Sequence, residues 1–107
     1  MVLEGEHTDF TERRAYPRKP TLWKARIRVG LDHFPCRIFD MSLSGVGVRT
    51  DAHLLLGTKM KLVIDHIGVF RGKVVWVDDD RMGIEFTIDE NEVRFLLGPR
   101  GRRLGLE

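Results

Sequence analysis

The sequence predicts an all-β domain: six antiparallel strands closed or nearly closed into a barrel, with a short C-terminal α-helix. Three observations carry this. Apolar residues recur at every second position through most of residues 22–86, the period of a strand with one dry and one wet face. Polar or glycine-bearing breaks separate these runs at short intervals. Near residue 88 the period changes to that of a helix, which Gly98 and Pro99 then stop. Closure of the sheet would also leave no exposed strand edge.

Taken in order, residues 1–11 lack periodicity and read as a flexible tail. Residues 12–20 form a leader in which Pro17 and Pro20 oppose regular helix. In the first strand Trp23, Ala25, Ile27 and Val29 share one face, and Lys24, Arg26 and Arg28 the other. A turn at 30–32 leads to a second strand, with Phe34, Cys36 and Ile38 on one side, ending at Asp40. A polar loop follows, then a short strand carrying Val46 and Val48. Gly57 punctuates the next connection, and Met60, Leu62 and Ile64 mark strand four. Strand five places Phe70, Val74 and Trp76 on one face; after the acidic turn at 78–80, Met82, Ile84 and Phe86 make strand six. The barrel thus covers 21–87. A helix over 89–97 starts at Asp89, whose carboxylate can accept from free helix amides, and Val93, Leu96 and Leu97 give it an apolar stripe. It is too short to persist alone and must pack on the barrel, for which an open end is the natural place. Residues 98–107 read as a flexible tail.

The length of 107 residues suits one compact domain, and 42% hydrophobic with 32% charged residues is ordinary for a globular chain. No apolar run reaches the roughly 20 residues that span a bilayer, and the first ten residues are too polar for a signal peptide. Cys36 is the single cysteine, so no internal disulfide forms, and a bacterial-type cytoplasm is the expected location. The net charge of +2 says little, but its distribution says more. Arg13, Arg14, Arg18, Lys19, Lys24, Arg26 and Arg28 crowd the first third, which favours an anionic partner. Lys24, Arg26 and Arg28 fit a solvated strand face.

Two motifs stand out. Arg14 and Arg18 form R-x-x-x-R in the proline-stiffened leader, where two guanidinium forks can be splayed around an object. Each fork can pair bidentately with phosphate or with the O6/N7 edge of guanine, or stack on a base. Asp40, Ser42 and Gly45 form D-x-S-x-x-G on a loop anchored by strand two. Asp40 can accept from a guanine N1–H and N2 edge or brace an arginine. Ser42 can donate to phosphate, and Gly45 lets the chain turn or lets a ligand approach the backbone.

With Gly83-Ile84-Glu85-Phe86 closing the last strand, these motifs in this order make the chain resemble the PilZ domain family over roughly residues 12–97. The resemblance implies a six-stranded barrel that binds cyclic di-GMP on its outer surface, without catalysis, cofactor or metal. It implies that Arg14 and Arg18 contact guanine and phosphate, that Asp40 and Ser42 bond a guanine edge and phosphate, and that Gly45 shapes the loop. Residues 12–20 become a switch segment that clamps the ligand. An arginine at position 13 is associated in that family with binding an intercalated ligand pair. A downstream protein partner is implied as well, and neither DNA nor a membrane span.

Alternatives come from other classes. A PilZ-like adaptor would work through protein contacts with weak or absent nucleotide binding, whereas a single-strand nucleic-acid binder would show steep salt dependence. A hydrolase would need a base and oxyanion donors that the sequence does not supply. His33 and Cys36 are too few for zinc, and the carboxylates at 78–80 point apart as a solvated hairpin. Trp23 and Trp76 are expected in the core or at its rim, and Tyr16 near the ligand.

Overall fold

The computed structural model describes residues 18–106. Within them lie six strands, β1 (Lys19–Val29), β2 (Asp32–Met41), β3 (Gly45–Arg49), β4 (Lys59–Ile64), β5 (Gly68–Asp78) and β6 (Arg81–Phe86). Two short helices follow, α1 (Glu90–Leu97) and α2 (Pro99–Arg103). The strands close into an antiparallel barrel in the order β1-β2-β3-β6-β5-β4, with β1 paired to both β2 and β4. Among the described residues no helix is long and apolar enough to cross a membrane.

The alternating residues meet inside. Ala25, Ile27, Cys36, Ile38, Met60, Leu62, Ile64, Val74, Met82 and Ile84 are buried in one core, and the rings of Phe70 and Phe86 stack at 5.2 Å within it. Burying each large apolar side chain contributes about 1.5–3 kcal/mol, so the alternation fixes the register of each strand.

The alternation breaks at three bulges, and these decide what the outer wall presents. Between the pairs Ile38↔Val48 and Asp40↔Gly47, Phe39 is an extra residue on β2. The inward phase therefore passes from Cys36 and Ile38 to Met41, leaving Asp40 on the outside with a half-buried side chain. A second bulge sets Thr21 and Leu22 of β1 opposite Phe39, and the buried Thr21 hydroxyl donates to the Ile38 carbonyl at 3.1 Å. The third makes Val75 the extra residue on β5, between Val74↔Ile84 and Trp76↔Gly83. Trp76 accordingly does not share the face of Phe70 and Val74, and its place in the core or rim is corrected. It pairs with Gly83, whose neighbours Met82 and Ile84 both point inward, so its indole lies on the exterior. Trp23 does pack against the core.

At the C-terminal end, Asp89 caps α1 by accepting from the Asn91 N–H at 2.6 Å. Val93 and Leu97 are buried, and Leu96 lies over Gly68 at the start of β5. Gly98 ends α1 with φ of +56°, a backbone conformation that glycine adopts without a Cβ clash. Two boundaries differ from expectation. Lys19 and Pro20 already belong to β1, paired with Met41 and Asp40, because the bulge resets the register before Trp23. Residues 99–106 are not a tail: Pro99 starts α2, and the Leu106 N–H donates to the Gly101 carbonyl at 2.8 Å, seating Leu106 in the core.

Burial pushes the Cys36 thiol up from 9.0 to about 12. A thiol whose folded pKa exceeds its unfolded one favours the native state fully below pH 9, and that contribution is lost as pH rises through the folded pKa. The expected outcome is negligible alkylation of native protein by iodoacetamide at about pH 8, against rapid modification in denaturant. A falling unfolding midpoint from about pH 9 upward should accompany it. Equal alkylation rates would contradict the burial.

Candidate functional site

Arg18 and Asp40 meet on the outer wall. The register pairing Pro20 with Asp40 delivers the residue two positions before Pro20 to the Asp40 carboxylate. Arg18 donates to Asp40 Oδ1 through Nε at 3.0 Å and Nη2 at 2.7 Å. The Gly47 N–H donates to the same oxygen at 2.9 Å. With side chains 19% and 28% exposed, the pair sits below full solvent screening, where charge-assisted bonds are strongest. Among the described residues no bond is made by Asp40 Oδ2 or Arg18 Nη1. One carboxylate oxygen thus holds the arginine to the wall, and Asp40 Oδ2 and Arg18 Nη1 are unused by the other described residues.

The loop after Asp40 is held from within. The Ser42 N–H donates to the Gly45 carbonyl at 2.9 Å, the Ser44 N–H donates to Ser42 Oγ at 3.1 Å, and the two hydroxyls are 2.9 Å apart. Ser42 is 0% exposed. Its hydroxyl organises the turn, and Ser44, half-buried, is the hydroxyl nearer solvent. Gly45 has a structural reason of its own: a Cβ there would overlap the Ile84 carbonyl oxygen, so β3 approaches β6 only without a side chain. The Phe86 N–H then reaches the Ser44 carbonyl at 2.8 Å.

Beyond Asp40 the wall continues in one row across five strands: Pro20, Asp40, Gly47, Gly83 and Trp76 are successive cross-strand partners. Two glycines leave the middle of the row flat. The Phe39 ring occupies the space over Gly47, and the Trp76 indole the space over Gly83. Sequence reasoning missed Gly47, Phe39 and the outward Trp76. The glycine pair at 45 and 47, two apart on one strand, was the available signal. Arg13, Arg14 and Tyr16 lie outside the described residues, so the meeting of both motif arginines rests structurally on Arg18 alone.

Two cavities, of about 500 and 510 Å³, lie away from this wall, one over β4 and β5 and one beside Cys36 and Arg49. Among the described residues no three His, Cys, Asp or Glu side chains gather as a metal site. The acidic turn at 78–80 is a hairpin, with Asp79 at φ of +53° and Asp80 facing Arg49 at 3.4 Å.

Comparison with known proteins agrees with this fold. The structure superposes on the PilZ domain of CeSA from a cellulose-synthesizing bacterium with a TM-score of 0.63 and 20% identity, over 78% of this chain and 98% of that one. It also superposes on YcgR from Escherichia coli, solved in complex with c-di-GMP, with a TM-score of 0.62 and 19% identity; 85% of this chain is covered but 47% of YcgR. The separate PilZ domain of YcgR with c-di-GMP gives 0.57 and 18%, over 85% and 95%. At such identities the likeness is one of fold. No curated protein matches the sequence. The model of the PilZ domain matches residues 12–98, most of the chain, and the protein belongs to the PilZ domain family.

Proposed function

We propose that this protein is a non-enzymatic receptor for cyclic di-GMP. The observation that carries the reading is the convergence of Arg18 and Asp40 on an outer wall that also presents the Trp76 indole. In it Arg18, fixed through Nε and Nη2, offers Nη1 to a phosphate or to guanine O6/N7. Asp40 offers Oδ2 to the guanine N1–H and N2 donors. Ser42 acts from inside the loop by placing Ser44 and the loop amides, and Gly45 keeps that loop against β6. Trp76 stands three strand spacings from Asp40, about 14 Å at the usual interstrand distance. A cyclic dinucleotide, with two bases on one ring, has the span to touch both ends of the row.

Arg14 is four residues from Arg18, a contour length of at most about 14 Å. It can therefore close over a ligand seated on the wall, with Arg13 supplying a further fork for a second, intercalated ligand molecule. Ordering of the segment before β1 then converts binding into a change of shape that a downstream protein partner reads.

Titration calorimetry tests this. Cyclic di-GMP is expected to bind below about 10 μM, or roughly 7 kcal/mol, and GTP much more weakly. Trp76→Ala should weaken binding about tenfold without a comparable loss of melting temperature, since base stacking on an aromatic side chain contributes about 1–3 kcal/mol. Unchanged affinity in Trp76→Ala would remove the indole from the site. A stoichiometry of one ligand per chain would remove the intercalated pair. Absence of heat with cyclic di-GMP would leave a PilZ-fold adaptor acting through protein contacts.

A further inference from the structure

The barrel surface at β1, β4 and β5 carries a second feature of different chemistry. A cavity of about 500 Å³ there is lined by Arg28, Lys59, Lys61, Arg71, Lys73 and Thr87. Strand register sets the cations in rows: Arg28 beside Lys61, Lys61 beside Arg71, and Lys59 beside Lys73. With about 4.8 Å between strands and about 7 Å between alternate residues, five positive side chains root in a patch of about 10 by 7 Å. Like charges directly opposite one another in a sheet are destabilising. Of these five cations only Lys73 has an acidic partner among the described residues, Glu85 at 3.8 Å.

An ordinary solvated face lets every cationic arm turn to water. Here one does not: Arg28 Nε is shielded from solvent and has no acceptor among the described residues. A buried donor without an acceptor is destabilising. An anion in the cavity would remove both penalties. Among the described residues its lining includes no aromatic ring on which a base could stack, so charge is the basis of recognition. A single monoanion would neutralise one of five cations, whereas linked phosphoryl groups match both the count and the dimensions of the patch.

We infer that this cavity binds a ligand carrying two or more linked phosphoryl groups, at a site separate from the Arg18–Asp40 wall. The two are ten residues apart along β1, about 30 Å of extended chain. Inorganic tripolyphosphate is the probe, followed by amide NMR at low ionic strength. Expected are shifts confined to residues 59–61 and 71–73 and to the Arg28 Nε–H, weakening as salt is raised. Lys61→Glu should weaken tripolyphosphate binding at least tenfold while raising the melting temperature, because it relieves repulsion from both neighbours. Lys61→Gln serves if the charge reversal perturbs the fold. Asp40→Ala should leave tripolyphosphate binding unchanged, which separates this site from the receptor wall.

Co-sedimentation with vesicles containing a phosphatidylinositol bisphosphate distinguishes the source of the phosphoryl groups. Vesicle binding that tripolyphosphate displaces assigns a lipid headgroup, and tripolyphosphate binding without vesicle binding assigns a soluble ligand. A rise in melting temperature for Lys61→Glu with no binding to lose overturns the inference. So does a shift pattern spread equally over Arg100, Arg102 and Arg103.

Discussion

Replacing Arg18 with alanine is expected to weaken cyclic di-GMP binding by about 100- to 1,000-fold, or roughly 3–4 kcal/mol. Two effects add. The variant loses a guanidinium whose charge-assisted bonds to a ligand contribute about 1.5–3 kcal/mol. It also strips Asp40 of the cation that Oδ1 holds at 2.7 Å, leaving a carboxylate facing an incoming dianion. A double-mutant cycle separates the roles of Asp40. If Asp40 acts only by bracing Arg18, then once Arg18 is gone Asp40→Ala removes the repelling carboxylate and recovers part of the lost affinity. If Oδ2 also accepts from guanine, the double variant binds more weakly still. Calorimetry on the four proteins reads this directly, and equal affinity for wild type and Arg18→Ala would withdraw the receptor proposal.

The largest effect on stability is expected at Gly45. A Cβ there overlaps the Ile84 carbonyl oxygen, a backbone atom that can retreat only if β3 and β6 separate. Those strands share five paired positions, from Gly45↔Glu85 to Arg49↔Arg81, so local retreat strains the whole ladder. Overpacking of this kind costs about 1–3 kcal/mol, and more where backbone must move. Gly45→Val should therefore lower the melting temperature by about 10–20 °C in a domain of this size. Thermal denaturation followed by circular dichroism measures it. A shift under about 3 °C, less than 1 kcal/mol for this size, would mean that the strands separate freely. The same substitution disturbs the Ser42 N–H bond to the Gly45 carbonyl, so ligand affinity should fall with stability.

Most of the barrel was legible because burial enforces alternation, and alternation is visible in sequence. Ile27, Ile38, Leu62 and Ile84 fall inside as their spacing requires. Asp89 was legible as a cap because capping depends on local chain geometry alone. What was not legible lies at the bulges. Continuing the phase of Phe70 and Val74 places Trp76 inside, and nothing in the residues around Val75 announces the extra residue that turns it out. Leu106 escaped notice for a related reason, since one apolar residue after a glycine carries no periodicity. Arg18 and Asp40 stood out through their motifs, and the structure pairs them. The enclosure of Ser42 did not stand out, because it depends on how Gly45 lets the loop fold against β6.

The enclosure of Cys36 has a practical consequence. The chain has no other cysteine, so its native surface offers maleimide dyes no competing attachment point. A Leu22→Cys variant, altering a side chain 83% exposed beside the Arg18–Asp40 pair, would accept one fluorophore at one known place. The barrel would then report occupancy of its own wall by a change in emission, with no background label to subtract.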